Sequence, residues 1–168
     1  MTTMNQPNQP NQPQRDGGET QRVRDVMTKE LQVCQPQTEI YYVARMMAEG
    51  DVGAIPVVES TESMRPIGII TDRDIVVRAF AKRQAPADLQ ASDVMSSDLL
   101  TLRPDMPLDE ATRHMEHRKV RRALVLDDGG RCIGIIAQSD IARTAQPQQT
   151  AELVQEISQP PGYQGAYH

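Results

Sequence analysis

The chain has no tryptophan, one phenylalanine and four tyrosines in 168 residues. That scarcity excludes an aromatic stacking platform for single-stranded nucleic acid. Positive charge is in deficit as well: 18 Lys and Arg stand against 23 Asp and Glu, a net charge of −5 with a pI near 5.2. Nucleic acid and membrane surfaces are therefore not the expected partners, although a local basic patch can still hold a phosphate. No apolar run approaches the roughly 18 residues that a membrane-spanning helix needs. The two cysteines, Cys34 and Cys132, lie far apart and have no metal-ligand spacing. The opening Met1-Thr2-Thr3-Met4-Asn5-Gln6 is not an apolar export segment. A cytoplasmic protein with reduced thiols is expected, a single disulfide between the two cysteines staying open. Also missing are a glycine-rich phosphate loop, a nucleophile beside an evident base and paired carboxylates in a recognisable context. No enzymatic activity is expected.

What is present is a duplication. Gly68-Ile69-Ile70-Thr71-Asp72-Arg73-Asp74-Ile75 turns from a β-branched apolar run into a polar stretch, as a strand does when it hands over to a helix. Gly134-Ile135-Ile136-Ala137-Gln138-Ser139-Asp140-Ile141 repeats it at an offset of 66. Upstream, Asp25-Val26-Met27-Thr28 matches Asp93-Val94-Met95-Ser96 at an offset of 68, and Pro36 matches Pro104. The helical stripe Ile40, Val43, Ala44, Met47 matches Leu108, Ala111, Thr112, Met115. The turn Asp127-Asp128-Gly129-Gly130 is two residues shorter than its counterpart, which accounts for the change of offset. Two similar units too small to stand alone should share a core.

The organisation that follows is a disordered Asn/Gln/Pro-rich tail over 1–20, a first repeat over 21–84, a second over 85–145, and a short C-terminal helix with a tail over 146–168. Each repeat reads β-α-β-β-α after a short helical turn, an α/β (α+β) fold. In the first, Thr38 is expected to cap the helix that carries Ile40, residues 54–58 and 67–70 form strands, and a helix runs from Thr71 to about Lys82. The C-terminal helix presents Leu153, Val154 and Ile157.

Thr71-x-x-Asp74 has two readings. A threonine at a helix start with an acid three residues later is a capping box, stabilising the helix by about 1 kcal/mol. The same residues suit a ligand, because a helix start offers amides to phosphate and a carboxylate accepts from both ribose hydroxyls. The segment before the second strand differs between repeats: Glu49-Gly50-Asp51-Val52-Gly53-Ala54 against the basic His117-Arg118-Lys119-Val120-Arg121-Arg122. Such a run is either a solvated face or a phosphate grip. His114 and His117 stand three apart on a helix with no third ligand placed by sequence, so no metal is expected. Methionines on the helical stripe read as core.

Taken together, Asp-Val-Met-Thr/Ser, Ile55-Pro56-Val57-Val58 and the two Gly-Ile-Ile-x-x-x-Asp-Ile junctions resemble the tandem cystathionine-β-synthase (CBS) domains, the Bateman module, over about residues 21 to 145. The resemblance implies two repeats packed sheet to sheet about a pseudo-twofold axis, with clefts between them that bind adenosine nucleotides, and association into homodimers. It implies that Thr71, Asp74, Arg121 and Arg122 share one cleft, with adenine near Leu100 and Ala123. A second, weaker cleft would hold Asp140, Ala54 and Ile55, lacking a phosphate grip because Ala137 replaces the hydroxyl and Gly53 and Ala54 replace the arginines. It further implies a non-catalytic regulatory module that needs no cofactor, takes an adenine nucleotide (AMP, ADP or ATP, with AMP or ATP foremost) or a related adenosyl ligand as regulatory ligand and signals to an effector protein of unknown identity. The alternative is a dimeric interaction scaffold in a stress response, with empty clefts.

Overall fold

A computed structural model describes residues 21–79 and 88–145; the N-terminal tail, most of the linker and the C-terminal helix expected from sequence lie outside them. The elements are α1 (Val23–Val26), α2 (Ile40–Gly50), β1 (Ala54–Val58), β2 (Pro66–Thr71), α3 (Asp72–Asp74), α4 (Ala91–Val94), β3 (Thr101–Leu102), α5 (Leu108–His117), β4 (Arg122–Leu126), β5 (Cys132–Ala137) and α6 (Gln138–Ala145). The α/β fold and the duplication are both present. β1 pairs antiparallel with β2, β4 pairs antiparallel with β5, and β3 runs parallel to β4.

The helices form where the apolar spacing places them, with local differences. Ile40, Val43 and Met47 are the buried face of α2, and Leu108, Ala111 and Met115 that of α5. Ala44, expected on the stripe, is exposed, and Met46 packs against the core instead. Thr38 does not cap α2. Its Oγ1 accepts from the Gln35 amide at 3.0 Å, Glu39 is the capping residue without a side-chain bond, and the Ile40 amide donates to Leu89 O at 2.9 Å. α3 is a single turn that widens into a π-helical segment over Ile75–Ala79 rather than continuing as α-helix. The β-branched run Ile75-Val76-Val77 crowds a regular α-helical turn.

The first strand of each repeat is vestigial. In the second it is the two-residue β3; in the first it shrinks to one bridge between Cys34 and Val57. The cause is Pro56. Its counterpart Leu124 donates its amide to Leu100 O at 3.0 Å, and proline has no N–H to give Gln32 the same bond.

The repeats are stitched reciprocally. The amides of Leu108, Val23 and Arg24 donate to the oxygens of Gln21, Met106 and Pro104, so the segment that opens the first repeat docks beside α5 of the second. In mirror fashion Ile40, Ala91 and Ser92 donate to Leu89, Thr38 and Pro36. Consequently Leu89, Ala91 and Val94 belong to the core of Ile40, Val43, Ile55, Val57 and Ile70, while Val23 belongs to that of Ala111, Met115, Val125 and Ile136. Full burial of Leu89 or Val23 contributes roughly 1.5–3 kcal/mol apiece. Each exchanged methionine lands on a glycine: a Cβ on Gly68 would meet Met95 Sδ at 2.5 Å, and one on Gly134 would meet Met27 Sδ at 2.5 Å. That contact ties the Asp-Val-Met and Gly-Ile-Ile motifs together across the pseudo-twofold.

Cys34 and Cys132 are free and buried, one in each half, and burial pushes both thiols up to about 11. They are not paired to each other.

Candidate ligand-binding cleft

At the junction of β2 and α3 the capping box is complete. The Asp74 amide donates to Thr71 Oγ1 at 3.2 Å, while Asp74 Oδ2 accepts from the Thr71 amide at 2.9 Å and from its hydroxyl at 2.7 Å. One carboxylate oxygen is thereby committed. The other, Oδ1, has Arg78 Nη2 at 3.4 Å, and the side chain keeps 19% of its surface open. The cap fixes the aspartate and leaves one oxygen for a guest.

Arg78 is the residue that sequence reading missed. It donates to the oxygens of Val94 and Met95 (2.6 Å for the latter) and to Ser96 Oγ at 2.9 Å, joining Asp74 to the segment exchanged from the second repeat. The i, i+4 spacing of Asp74 and Arg78 was the available signal. Its counterpart in the second repeat is Thr144, whose hydroxyl donates to Asp140 O at 2.8 Å.

Opposite this junction stands the start of β4. Lys119 takes a left-handed conformation with φ 52°, ending the α5 turn, and Val120, Arg121 and Arg122 follow. Among the described residues neither Arg121 nor Arg122 has an ion-pair partner. Arg118 is neutralised by Asp98. Thr71, Asp74, Arg121, Arg122 and Leu100 line one cleft of about 330 Å³, together with Ile69, Ser96, Asp98, Leu99, Val120 and Leu124. Four of the five sequence-predicted neighbours of Thr71 are thus present.

Ala123 is not. It packs in the second core with Val125, because side chains alternate along a strand and those of Arg122 and Leu124 take the cleft face. Leu124 and Ile69 supply the apolar wall in its place. A second cavity of about 530 Å³ adjoins this cleft, bounded by Asp72, Arg121, Arg122, Gln138 and Ser139.

The mirror cleft is differently built. Ala54 and Ile55 line a space of about 420 Å³ with Thr28, Glu30, Gln32, Val52, Pro56 and Ile135. Asp140 is absent from that lining and sits instead in a shallow cavity with Asp25, Val26, Arg143 and Thr144. Its Oδ2 accepts from the Ala137 amide at 3.0 Å and Arg143 holds its Oδ1. The expected grouping of Asp140 with Ala54 and Ile55 is therefore not formed: without a hydroxyl on Ala137 the carboxylate is drawn to an exposed arginine.

His114 and His117 lie on exposed faces of α5, and among the described residues no three His, Cys, Asp or Glu side chains converge. Among the same residues, no helix is long and apolar enough to cross a membrane.

Comparison with known proteins agrees with this geometry. The CBS domain family model matches residues 23–80 and 91–146. The CBS domain-containing protein YhcV of Bacillus subtilis is 35% identical over 120 residues, which are 71% of this chain and 82% of that protein. A CBS domain pair solved in complex with 5′-methylthioadenosine and S-adenosyl-L-methionine superposes with a TM-score of 0.67 at 25% identity, over 75% of this chain and 96% of the other. CBSX2 solved in complex with AMP gives a TM-score of 0.62 at 26% identity, over 74% of this chain and 95% of the other. The duplicated junctions, the reciprocal stitching and the family match lead to one conclusion: the chain belongs to the CBS domain family, as a tandem pair.

Proposed function

We propose that the protein is a non-catalytic regulatory module that binds an adenine nucleotide, AMP or ATP, in the composite cleft and relays its occupancy to an effector protein. One observation carries the reading: a capped aspartate from the first repeat lines the same cavity as two arginines from the second that have no ion-pair partner among the described residues. Asp74 Oδ1 accepts from the ribose hydroxyls, Arg121 and Arg122 take the phosphate, and Ile69, Leu100 and Leu124 receive the base. At about 330 Å³ the cleft lies at the small end of the roughly 300–1,000 Å³ usual for such sites.

The relay runs through Arg78. Ribose bound at Asp74 Oδ1 competes with Arg78 for that oxygen, and Arg78 holds the exchanged segment at Val94, Met95 and Ser96. A ligand with different affinities for the clasped and released arrangements shifts the balance between them. The module works in the cytoplasm as a homodimer, and Tyr41, Tyr42, Val76 and Val77, each more than half exposed, support that assembly.

Titration calorimetry of AMP, ADP, ATP and S-adenosylmethionine against the wild type and Arg121→Ala/Arg122→Ala tests the site. The wild type should bind at least one nucleotide and the double variant should lose it. Equal binding by both proteins sinks the site, and no thermal shift across the panel favours a ligand-free scaffold instead.

A further inference from the structure

Gly53 sits just ahead of β1, where the second repeat carries Arg121, the two being related by the offset of 68. Their backbones do the same thing. Gly53 O accepts from the Asp72 amide at 3.3 Å, and Arg121 O accepts from the Gln138 amide at 2.9 Å. Nor is glycine needed for conformation, since the φ of Gly53 is outside the left-handed region. What it supplies is room. A Cβ on Gly53 would stand 2.7 Å from Arg122 Nη2 and 3.7 Å from its Cζ, the first well inside the roughly 3.5 Å of optimal non-bonded contact.

The guanidinium of the second repeat therefore rests against bare backbone of the first, with Asp72 Oδ2 3.5 Å from the same Cβ position. Arg122 borders both the composite cleft and the cavity of Asp72, Gln138 and Ser139. A methyl group at Gly53 pushes its head group away from that border. The push costs the fold little, because the atom that yields is the tip of a flexible side chain.

We infer that Gly53 is a specificity-determining position: by leaving room for Arg122 it lets the second repeat face the phosphate end of the ligand, and so selects phosphorylated over unphosphorylated adenosine. This rests on the nucleotide reading of the cleft.

The test is calorimetric titration of AMP and of adenosine into wild type, Gly53→Ala, Arg122→Ala and the double variant, with thermal melts as the control for folding. In Gly53→Ala, AMP affinity falls about tenfold or more, the scale of one charge-assisted hydrogen bond, while adenosine affinity stays within about twofold. In the Arg122→Ala background the same substitution has no further effect on AMP, as expected if Gly53 acts only through that arginine. Unchanged AMP binding in Gly53→Ala overturns the inference alone. So does an equal loss for both ligands, or a full additional loss in the Arg122→Ala background. A wild type that binds neither ligand overturns the nucleotide reading and this inference together.

Discussion

The two clefts are built on the same plan and differ in charge, capping and backbone pairing. Where the composite cleft has Asp98, Leu100, Arg122 and Leu124, the mirror cleft has Glu30, Gln32, Ala54 and Pro56. Asp74 is held by a threonine on one side and an arginine clasp on the other, whereas Asp140 keeps only the Ala137 amide and pairs outward with Arg143. The scaffold is duplicated, and a handful of differences place two arginines and a capped aspartate in one cleft where the equivalent positions of the other half hold glycine, alanine and an uncapped aspartate. The carboxylate alone does not distinguish the clefts, because both copies have it.

The largest way to break this comparison is to give the second repeat the proline of the first. Leu124→Pro removes the amide that donates to Leu100 O and inserts a ring into the middle of the three-stranded sheet. It should cost about 3 kcal/mol or more and lower the thermal midpoint by roughly 10 °C. The reverse change, Pro56→Leu, supplies the missing donor opposite Gln32 and should leave the midpoint unchanged or raised. A melt in which the two substitutions behave alike contradicts the pairing argument.

The glycine contacts come next. Gly68→Ala and Gly134→Ala both overpack a methionine and should cost about 1–3 kcal/mol each by denaturant unfolding. Their effects on ligand should part company. Gly68→Ala displaces Met95 beside Ser96, a wall of the composite cleft, and weakens AMP binding; Gly134→Ala displaces Met27 beside Thr28, a wall of the mirror cleft, and leaves AMP binding intact.

Smaller, and specific to binding, is the pair Asp74→Asn and Asp140→Asn. An amide oxygen still accepts the capping bond in either case, so both variants should fold. Removing the carboxylate charge at Asp74 should cost about tenfold in AMP affinity, on the scale of a hydrogen bond to a charged group, and the change at Asp140 should be silent in the same titration.

These contrasts also mark what the amino-acid pattern can and cannot carry. The strand-to-helix junctions were legible because a period of 66 or 68 residues makes each copy a control for the other, and the Thr71 box because capping is local. Ala123 was misplaced because a strand's two faces look alike until neighbours fix which one meets the core. The loss of the first strand was written in Pro56, but its consequence appears only when Leu124 is found bonding Leu100 at the equivalent place. Cross-stitching was invisible, since Leu89 and Val23 read as ordinary apolar residues of their own repeats. Arg78 was missed for the same reason: its partners Val94, Met95 and Ser96 are 16 to 18 residues away and nothing local announces them.

The smallest effect concerns Lys119 and asks whether the composite cleft depends on the two arginines or on the basic run as a whole. Lys119 holds φ at 52°, as Asp51 holds 48° at the end of α2, and for a side chain with a Cβ that conformation costs roughly 1–2 kcal/mol. Glycine adopts it freely. Lys119→Gly therefore relieves strain while deleting one positive charge from the run, and Lys119 itself is absent from the cleft lining. The thermal midpoint should rise by a few degrees and AMP affinity should stay within about twofold at moderate salt, because the Lys119 side chain is solvent-exposed and salt screens exposed charges. A tenfold loss of affinity would instead make the whole segment from His117 to Arg122 the phosphate grip, and the difference between the two clefts would then be one of net charge rather than of two placed guanidinium groups.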